Sequence, residues 1–399
     1  MAGISARAQK TQFSPIRKLK PLADQAIKAG KKIYNLNIGQ PDIPTPKAFM
    51  EGVKNAPPVL AYGPSQGLDE AVRALANYYE RKNILLKNDE IIITTGGSEA
   101  ISFALMAVCD AGDQVLVPEP FYTNYNSYAT MANVEILPIA TSPEEGFALP
   151  SKTEIESRIT SRTKAILFCS PGNPTGAVYS RKEKEMLGEI AKKHDLYLIS
   201  DEVYREFVYD GLKHTSVMDL PGLEEHAILV DSISKRLSAC GARIGALTSK
   251  NREVMKATLK FAQARLCPPT LGQLGLIRFI QSPTYQHEID TMIQKFESRR
   301  NVLFEEMQKI KGVFCRKPRG AFYLMPKLPV DDAEKFCAWL LTDFDLDGDT
   351  LLLSAAADFY QTKGKGRDEV RIAYVLNEDA LKRSMIILGE ALKAYAKKN

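Results

Sequence analysis

The stretch Ala227-Ile-Leu-Val-Asp-Ser-Ile-Ser-Lys235 joins a short apolar run to two serines and one lysine. The apolar part is typical of a buried strand, and Lys235 comes just after the strand end. Gly-Ala-Arg243 follows eight residues further on. An amine at the mouth of a parallel sheet is well placed to form a Schiff base, so this stretch predicts a ligand site at the end of a strand.

Similar apolar runs recur through the middle of the chain and alternate with segments of helical period. Between two of them, Ser180 and Glu183 have the spacing of a capping box that opens a helix. This alternation predicts an α/β fold with a mostly parallel sheet covered by helices on both faces. The predicted strands are 114–117, 134–139, 165–169, 196–200, 227–231 and 244–248.

The last third of the sequence predicts a second, smaller unit. Residues 284–311 read as a long helix leading out of the first unit, and strands at 320–325, 350–354 and 370–375 with helices at 333–342 and 379–397 predict an α+β domain. A length of 399 residues suits two domains. We therefore expect an N-terminal arm with part of the small domain (1–45), a large domain (46–285) and the small domain (286–399).

Composition excludes several classes of function. The net charge is +5, but the basic residues are spread among nearly as many acids, which argues against a nucleic-acid partner. No apolar run reaches the roughly eighteen residues of a membrane span, and residues 1–20 lack a signal-peptide core, so we expect a cytoplasmic protein without a membrane partner. Neither the six cysteines nor the four histidines have metal-ligand spacing, and no metal is expected.

Further polar groups follow other predicted strands. Asn173 lies in Pro171-Gly-Asn-Pro-Thr-Gly176, and Asp201 and Tyr204 lie in Ser200-Asp-Glu-Val-Tyr204. Each motif alone also has a plain explanation as a turn, a strand-end cap or a packed aromatic ring. With Lys235, however, they supply what pyridoxal 5'-phosphate requires: an amine for its aldehyde, an anion for its ring nitrogen and donors to its ring oxygen.

A phosphate cradle is indicated by Ile91-Ile-Ile-Thr-Thr-Gly-Gly-Ser98, which reads as a strand, a glycine turn and a helix start. Backbone N–H groups at such a helix start bind phosphate, which makes Gly97 and Ser98 candidates. The alternative is an ordinary glycine connection in which Ser98 only caps the helix.

These motifs together resemble those of the class I/II aminotransferases of fold type I, in particular aspartate aminotransferases, and the resemblance covers nearly the whole chain. It implies a mostly parallel seven-stranded sheet between helices, with a smaller α+β domain. Catalytic roles are implied for Lys235, Asp201 and Tyr204. The cofactor-binding residues that it implies are Gly97, Ser98, Tyr122, Asn173, Asp201, Tyr204, Ser232, Ser234, Lys235 and Arg243.

The resemblance also implies a partner subunit. Tyr62, in Ala-Tyr-Gly-Pro-Ser-Gln-Gly-Leu, matches a tyrosine that reaches the cofactor phosphate of the neighbouring subunit in many relatives. A homodimer with shared active sites is therefore expected. The alternative is that Tyr62 is simply packed near a glycine turn.

Substrate binding is expected at Arg371, which interrupts an apolar strand and matches the family's α-carboxylate-binding arginine. Asn173 and Gly39 are expected on the same substrate group, Gly39 because it lets the backbone approach closely. Arg17 and Arg265 are two candidates for a distal carboxylate, and each is also compatible with a surface or interface ion pair. The chain departs from the family at Ser354-Ala-Ala-Ala-Asp-Phe-Tyr360, where relatives usually carry a Pro-Gly turn.

The resemblance implies transfer of an amino group from an amino acid, aspartate being favoured, to a 2-oxo acid, 2-oxoglutarate being favoured. Aromatic or broad amino-acid specificity remains an alternative, as does a C–S lyase that uses the same cofactor groups. A regulator built on this fold is disfavoured, because only about forty residues precede Gly39 and such regulators carry a DNA-binding helix-turn-helix there.

Overall fold

The structure is a computed structural model that describes residues 3–398. Residues 1, 2 and 399, which belong to the predicted N-terminal arm and small domain, lie outside the described residues. The strands are β1 (Lys32–Asn35), β2 (Ile91–Thr94), β3 (Gln114–Glu119), β4 (Glu135–Ala140), β5 (Thr163–Cys169), β6 (Tyr197–Asp201), β7 (Ala227–Ser232), β8 (Gly245–Thr248), β9 (Tyr323–Leu324), β10 (Asp349–Leu352), β11 (Ser354–Ala355) and β12 (Val370–Ala373).

Helices lie between and around these strands. They are α1 (Ala6–Lys10), α2 (Lys20–Lys28), α3 (Lys47–Lys54), α4 (Asp69–Glu80), α5 (Gly96–Val108), α6 (Asn124–Ala132), α7 (Lys152–Glu156), α8 (Arg181–Lys193), α9 (Ile233–Arg236), α10 (Arg252–Arg265), α11 (Thr270–Ile280), α12 (Tyr285–Gln308), α13 (Ala333–Thr342) and α14 (Glu378–Lys398). The predicted capping box is confirmed, because the Ser180 hydroxyl accepts the backbone N–H of Glu183 at the start of α8.

The large sheet has the strand order β2-β8-β7-β6-β5-β3-β4. The pairs formed by β3 to β7 are parallel, and β8 runs antiparallel to both of its neighbours. The carboxyl ends of β3, β5, β6 and β7 therefore meet at one edge of the sheet, and the connection from β7 to β8 turns back at that edge. This is the predicted α/β fold with a mostly parallel seven-stranded sheet.

Both faces of the sheet are covered, because side chains along each strand alternate between two cores. Leu229 belongs to one core, which includes apolar residues of α4 and α8. Its neighbours Ile228 and Val230 belong to the other, which includes apolar residues of α5 and α6. This explains why the strands read as continuous apolar runs rather than as alternating ones. Among the described residues, no helix combines the length and apolar character needed to cross a membrane.

The smaller sheets surround a further core formed by α12, α13 and α14 with β9, β10 and β12. Strand β1 pairs in parallel with β10, so a segment near the amino terminus completes this region. The predicted strand 320–325 is wrong in its extent: only Tyr323 and Leu324 form a strand, because Ala321 has a positive φ of 54° that extended backbone does not allow. The exact domain boundaries at 45 and 285 stay predictions.

Candidate active site

A cavity of about 450 Å³ opens at the carboxyl edge of the large sheet, where the small sheets meet it. Its volume is in the range of a small-molecule site. The cavity is lined by every predicted site residue except Tyr62: Gly39, Gly97, Ser98, Tyr122, Asn173, Asp201, Tyr204, Ser232, Ser234, Lys235, Arg243 and Arg371.

The lysine lies in a tight turn that directly follows β7. The hydroxyl of Ser232 accepts the N–H of Ser234 at 3.2 Å and lies 2.8 Å from the Ser234 hydroxyl, which starts the one-turn helix α9. Lys235 is half-buried, and its Nζ donates to the carbonyl oxygen of Gly39 at 2.7 Å. The turn thus presents two hydroxyls and one amine to the same cavity.

Asp201 ends β6 and is buried in the cavity wall. Tyr125 donates its hydroxyl to Oδ2 at 2.6 Å, and the N–H of Val203 lies 3.3 Å from Oδ1. Burial raises the pKa of Asp201 to about 6. A buried carboxylate with a raised pKa gains from a cation placed beside it.

Sequence reasoning missed Tyr125 as a site residue. It lies on α6, three residues after Tyr122, and alone it reads as a packed aromatic. The one available signal is its place in the stretch from Glu119 to Tyr125 that follows β3. Only the tertiary structure brings its hydroxyl to Asp201, which lies at the end of β6, 76 residues further along the chain.

Tyr204 is buried, and its hydroxyl lies 2.8 Å from that of Tyr323. Sequence reasoning placed Tyr323 only in a strand of the small domain. Gly39 lies against the same phenol: a Cβ built on Gly39 would come within 1.8 Å of the Tyr323 hydroxyl oxygen. Gly39 therefore makes room for Tyr323, in addition to exposing its carbonyl to Lys235.

One end of the cavity is suited to an anion. Helix α5 begins at Gly96 without a side-chain cap, so the N–H groups of its first turn, including Gly97 and Ser98, point towards the cavity end. Arg243 lies beside this turn and donates to the carbonyls of Cys240 at 3.1 Å and Thr95 at 3.3 Å. The alternative explanation of Ser98 as the helix cap is wrong, because the helix begins two residues earlier.

Arg371 also lines the cavity. It lies on β12 and is 1% exposed. Its guanidinium donates to Oδ1 of Asn173 at 3.0 Å and to the carbonyl of Asn37, while its Nε has no partner among the described residues. Burial lowers its pKa. Phe359, from the segment without the Pro-Gly turn, lies 5.0 Å from the guanidinium, so that segment forms part of the pocket around Arg371.

The structure separates the two candidates for a distal carboxylate. Arg265 already pairs with Glu99 at 3.0 Å and donates to the carbonyls of Ser65 and Ile93, and it does not line the cavity. Arg17 does line the cavity. It is exposed, and none of the described residues forms a hydrogen bond or ion pair with its side chain.

Tyr62 is the predicted residue that the single chain does not bring to the cavity. Its side chain is 82% exposed, and the nearby apolar residues Val59 and Leu60 are 73% and 52% exposed.

Comparison with known proteins agrees with this geometry. The family model "aminotransferase class I and II" matches residues 31–346. The chain belongs to the class I and II aminotransferases. Its fold is the type I fold of these enzymes, and its activity is the transfer of amino groups.

Two curated relatives of this aminotransferase cover almost its full length. It is 30% identical over 402 residues to an aspartate aminotransferase of Bacillus subtilis, covering 99% of this chain and 98% of that protein. It is also 30% identical to an aromatic-amino-acid aminotransferase of Thermococcus litoralis, covering 98% of each. A solved structure of Thermus thermophilus aspartate aminotransferase with maleate has a TM-score of 0.89 at 28% identity, covering 98% of this chain and 100% of that one.

Proposed function

We propose that this aminotransferase uses pyridoxal 5'-phosphate to move the α-amino group of aspartate to 2-oxoglutarate. The observation that carries the proposal is that one cavity holds a lysine amine, a buried carboxylate and a buried arginine whose Nε has no described partner. The family match supports the cofactor, and the names of the relatives support the substrates.

The residues present fit pyridoxal phosphate. An anion-binding helix start, two serine hydroxyls and Arg243 suit a phosphate, because the guanidinium fork and backbone N–H groups both donate to its oxygens. Gly96 suits this turn because its φ of 74° lies in the left-handed region that favours glycine, and a Cβ there would also lie 2.3 Å from the Arg243 guanidinium. Asp201, buried with a raised pKa, suits a protonated ring nitrogen. Tyr122 lies on the cavity wall, where an aromatic ring stacks against a pyridine.

When bound, the cofactor supplies an aldehyde and an electron-accepting ring. Lys235 is the residue that would hold the aldehyde, and its amine, when free, would take the proton from the substrate α-carbon. The Asp201 carboxylate would stabilise a proton on the ring nitrogen, and Tyr204 and Asn173 would donate to the ring oxygen. Release of the 2-oxo acid and binding of a second one complete two half-reactions, so we expect ping-pong kinetics.

Arg371 orients the substrate through its α-carboxylate. The guanidinium is fixed before substrate arrives, because it donates hydrogen bonds to Asn173 and Asn37. The rings of Tyr323 and Phe359 also lie against it. A fixed fork loses little entropy on binding a carboxylate. Desolvation in this pocket strengthens the ion pair, which compensates the cost of keeping an arginine buried.

For the distal carboxylate of aspartate, the proposal rests on Arg17. We expect Arg17→Ala to lower kcat/KM for aspartate roughly a hundredfold, as for loss of a charged hydrogen bond of about 3 kcal/mol. Activity with phenylalanine or tyrosine should change far less. The measurement is the rate at which each amino acid converts the bound cofactor to its amine form.

Lys18→Ala is the matched control, since the neighbouring Lys18 pairs with Glu334 at 2.6 Å and does not line the cavity. Equal losses for aspartate and aromatic substrates in Arg17→Ala, or no loss for either, would contradict its role in specificity. Faster conversion with aromatic amino acids in the wild type would favour aromatic specificity. Retention of the aldehyde form with every amino acid would favour a lyase.

We also infer that two chains form a homodimer in which Tyr62 completes the site of the partner. Its exposure, and that of Val59 and Leu60, is a reason to expect that this apolar surface is covered in the assembly. A cytoplasmic location is supported by the six cysteines, which are all free thiols.

Mixing two defective variants tests the shared site. Tyr62→Ala and Lys235→Ala subunits should each give little activity alone, whereas mixed dimers should regain activity. The physical reason is that one of the two sites in a mixed dimer then receives Lys235 from one subunit and Tyr62 from the other. The measurement is activity after co-refolding, with sedimentation to establish the dimer. A monomer, or a mixture no more active than Tyr62→Ala alone, would contradict the inference.

A further inference from the structure

The hydroxyl of Tyr323 has no role in the proposed function described above. Tyr323 is 2% exposed and lines the cavity. It lies on β9, which pairs with β12, the strand that carries Arg371. Its ring lies 4.7 Å from the Arg371 guanidinium, and its hydroxyl lies 2.8 Å from that of Tyr204.

The direction of the hydrogen bond between the two phenols follows from the proposed role of Tyr204. A phenol has one O–H, so a Tyr204 that donates to the cofactor ring oxygen cannot also donate to Tyr323. Tyr323 is then the donor and Tyr204 the acceptor. Burial raises the pKa of Tyr204 well above its usual range, and the neighbouring Tyr323 adds to this effect. The phenol therefore stays protonated and can donate. Donors in such chains polarise one another, which makes Tyr204 a stronger donor.

We propose that Tyr323 is a positioning residue that couples the carboxylate-binding Arg371 to the phenol that donates to the cofactor. Its hydroxyl strengthens the donation from Tyr204, and its ring fixes the plane of the Arg371 guanidinium. The 1.8 Å approach that a Cβ on Gly39 would make shows that the backbone opposite is shaped to admit this phenol. The inference rests on the proposed function, since it needs the cofactor at Tyr204.

The test measures the pH midpoint of the absorbance change of bound pyridoxal phosphate. A ring oxygen that receives a weaker hydrogen bond keeps more negative charge and holds the proton on the cofactor–lysine linkage to higher pH. Tyr323→Phe should therefore raise the midpoint by roughly 0.5 unit. Binding of succinate, the probe for Arg371, should weaken about threefold. The other titratable or charged groups around the two phenols, Tyr122, Cys169 and Arg371, are unchanged in the variant.

Tyr374→Phe is the matched control, because Tyr374 is buried and donates to the Ala321 carbonyl at 3.2 Å without lining the cavity. It should lose comparable stability and keep the wild-type midpoint. In a double-mutant cycle, Tyr323→Phe should have no further effect on the midpoint when added to Tyr204→Phe. Additive shifts, an unchanged midpoint in Tyr323→Phe, or an equal shift in Tyr374→Phe would overturn the inference.

Should Tyr323→Phe fail to fold, Tyr204→Phe answers the same question. Succinate should shift the midpoint in the wild type, and this linkage should shrink in Tyr204→Phe; an undiminished linkage would overturn the coupling. A wild-type protein that does not bind pyridoxal phosphate would instead contradict the proposed function itself.

Discussion

Lys235→Ala is expected to abolish turnover and covalent attachment of the cofactor while the protein still folds. The fold should survive, because Lys235 is half-buried and its Nζ makes one close hydrogen bond, to the Gly39 carbonyl. Loss of both the anchoring amine and the base removes the reaction itself rather than slowing one step. The measurements are steady-state activity, the absorbance of added cofactor, and borohydride reduction followed by peptide mapping.

Lys31→Ala provides a matched control for this prediction. Lys31 is also half-buried and also donates to backbone carbonyls, including those of Leu341 and Phe344, but it does not line the cavity. It should keep activity and the borohydride-trapped cofactor. Cofactor trapped on any lysine other than Lys235 in the wild type would show that the site is assigned to the wrong residue.

Asp201→Asn is expected to slow the half-reaction by about a hundredfold to a thousandfold, since a neutral amide no longer holds the proton on the ring nitrogen. The cofactor should still bind, because its phosphate and ring contacts lie elsewhere in the cavity. The substitution preserves shape, and an amide oxygen can still accept from Tyr125. Single-turnover absorbance with aspartate gives the rate, and a near-normal rate would contradict the role.

Asp219→Asn is the control, since Asp219 is a half-buried aspartate of a capping box outside the cavity.

Asp201→Asn should also change how the stability of the cofactor-free protein depends on pH. Burial raises the folded pKa of Asp201 from 3.8 to about 6, so the native state binds more protons than the unfolded state between those values. The cofactor-free wild type should therefore lose stability, up to about 3 kcal/mol, as pH rises from about 4 to 6, and Asp201→Asn should lack this component.

The sequence predicted the large sheet and most of one side of the site because both depend on local patterns. Runs buried on both faces read as apolar strands, and their carboxyl ends meet at one edge, which brings Asn173, Asp201 and Lys235 together once the sheet is parallel. The capping box at Ser180 and Glu183 depends on residues three apart, and it too was readable in advance.

What the sequence could not determine involves contacts between distant segments. In the sequence, Tyr125 and Tyr323 look like ordinary packed aromatic residues. In the structure, Tyr125 donates to Asp201, and Tyr323 lies against Arg371 with its hydroxyl close to that of Tyr204. Arg265 and Arg17 look equivalent in the sequence, yet one lies within hydrogen-bond reach of Glu99 and the other faces the cavity.

The same limit applies to strand ends. The positive φ of Ala321 breaks the predicted strand 320–325 near its start, and alanine has no residue preference that would have predicted this conformation. Periodicity reports which face of an element is buried, so the sequence by itself determined the strands, the helices and the edge where ligands gather. Periodicity does not indicate which side chain from a distant segment packs against a given site residue. Only the tertiary structure decided that, because hydrogen bonds and ion pairs depend on distances of a few ångströms between residues far apart in the chain.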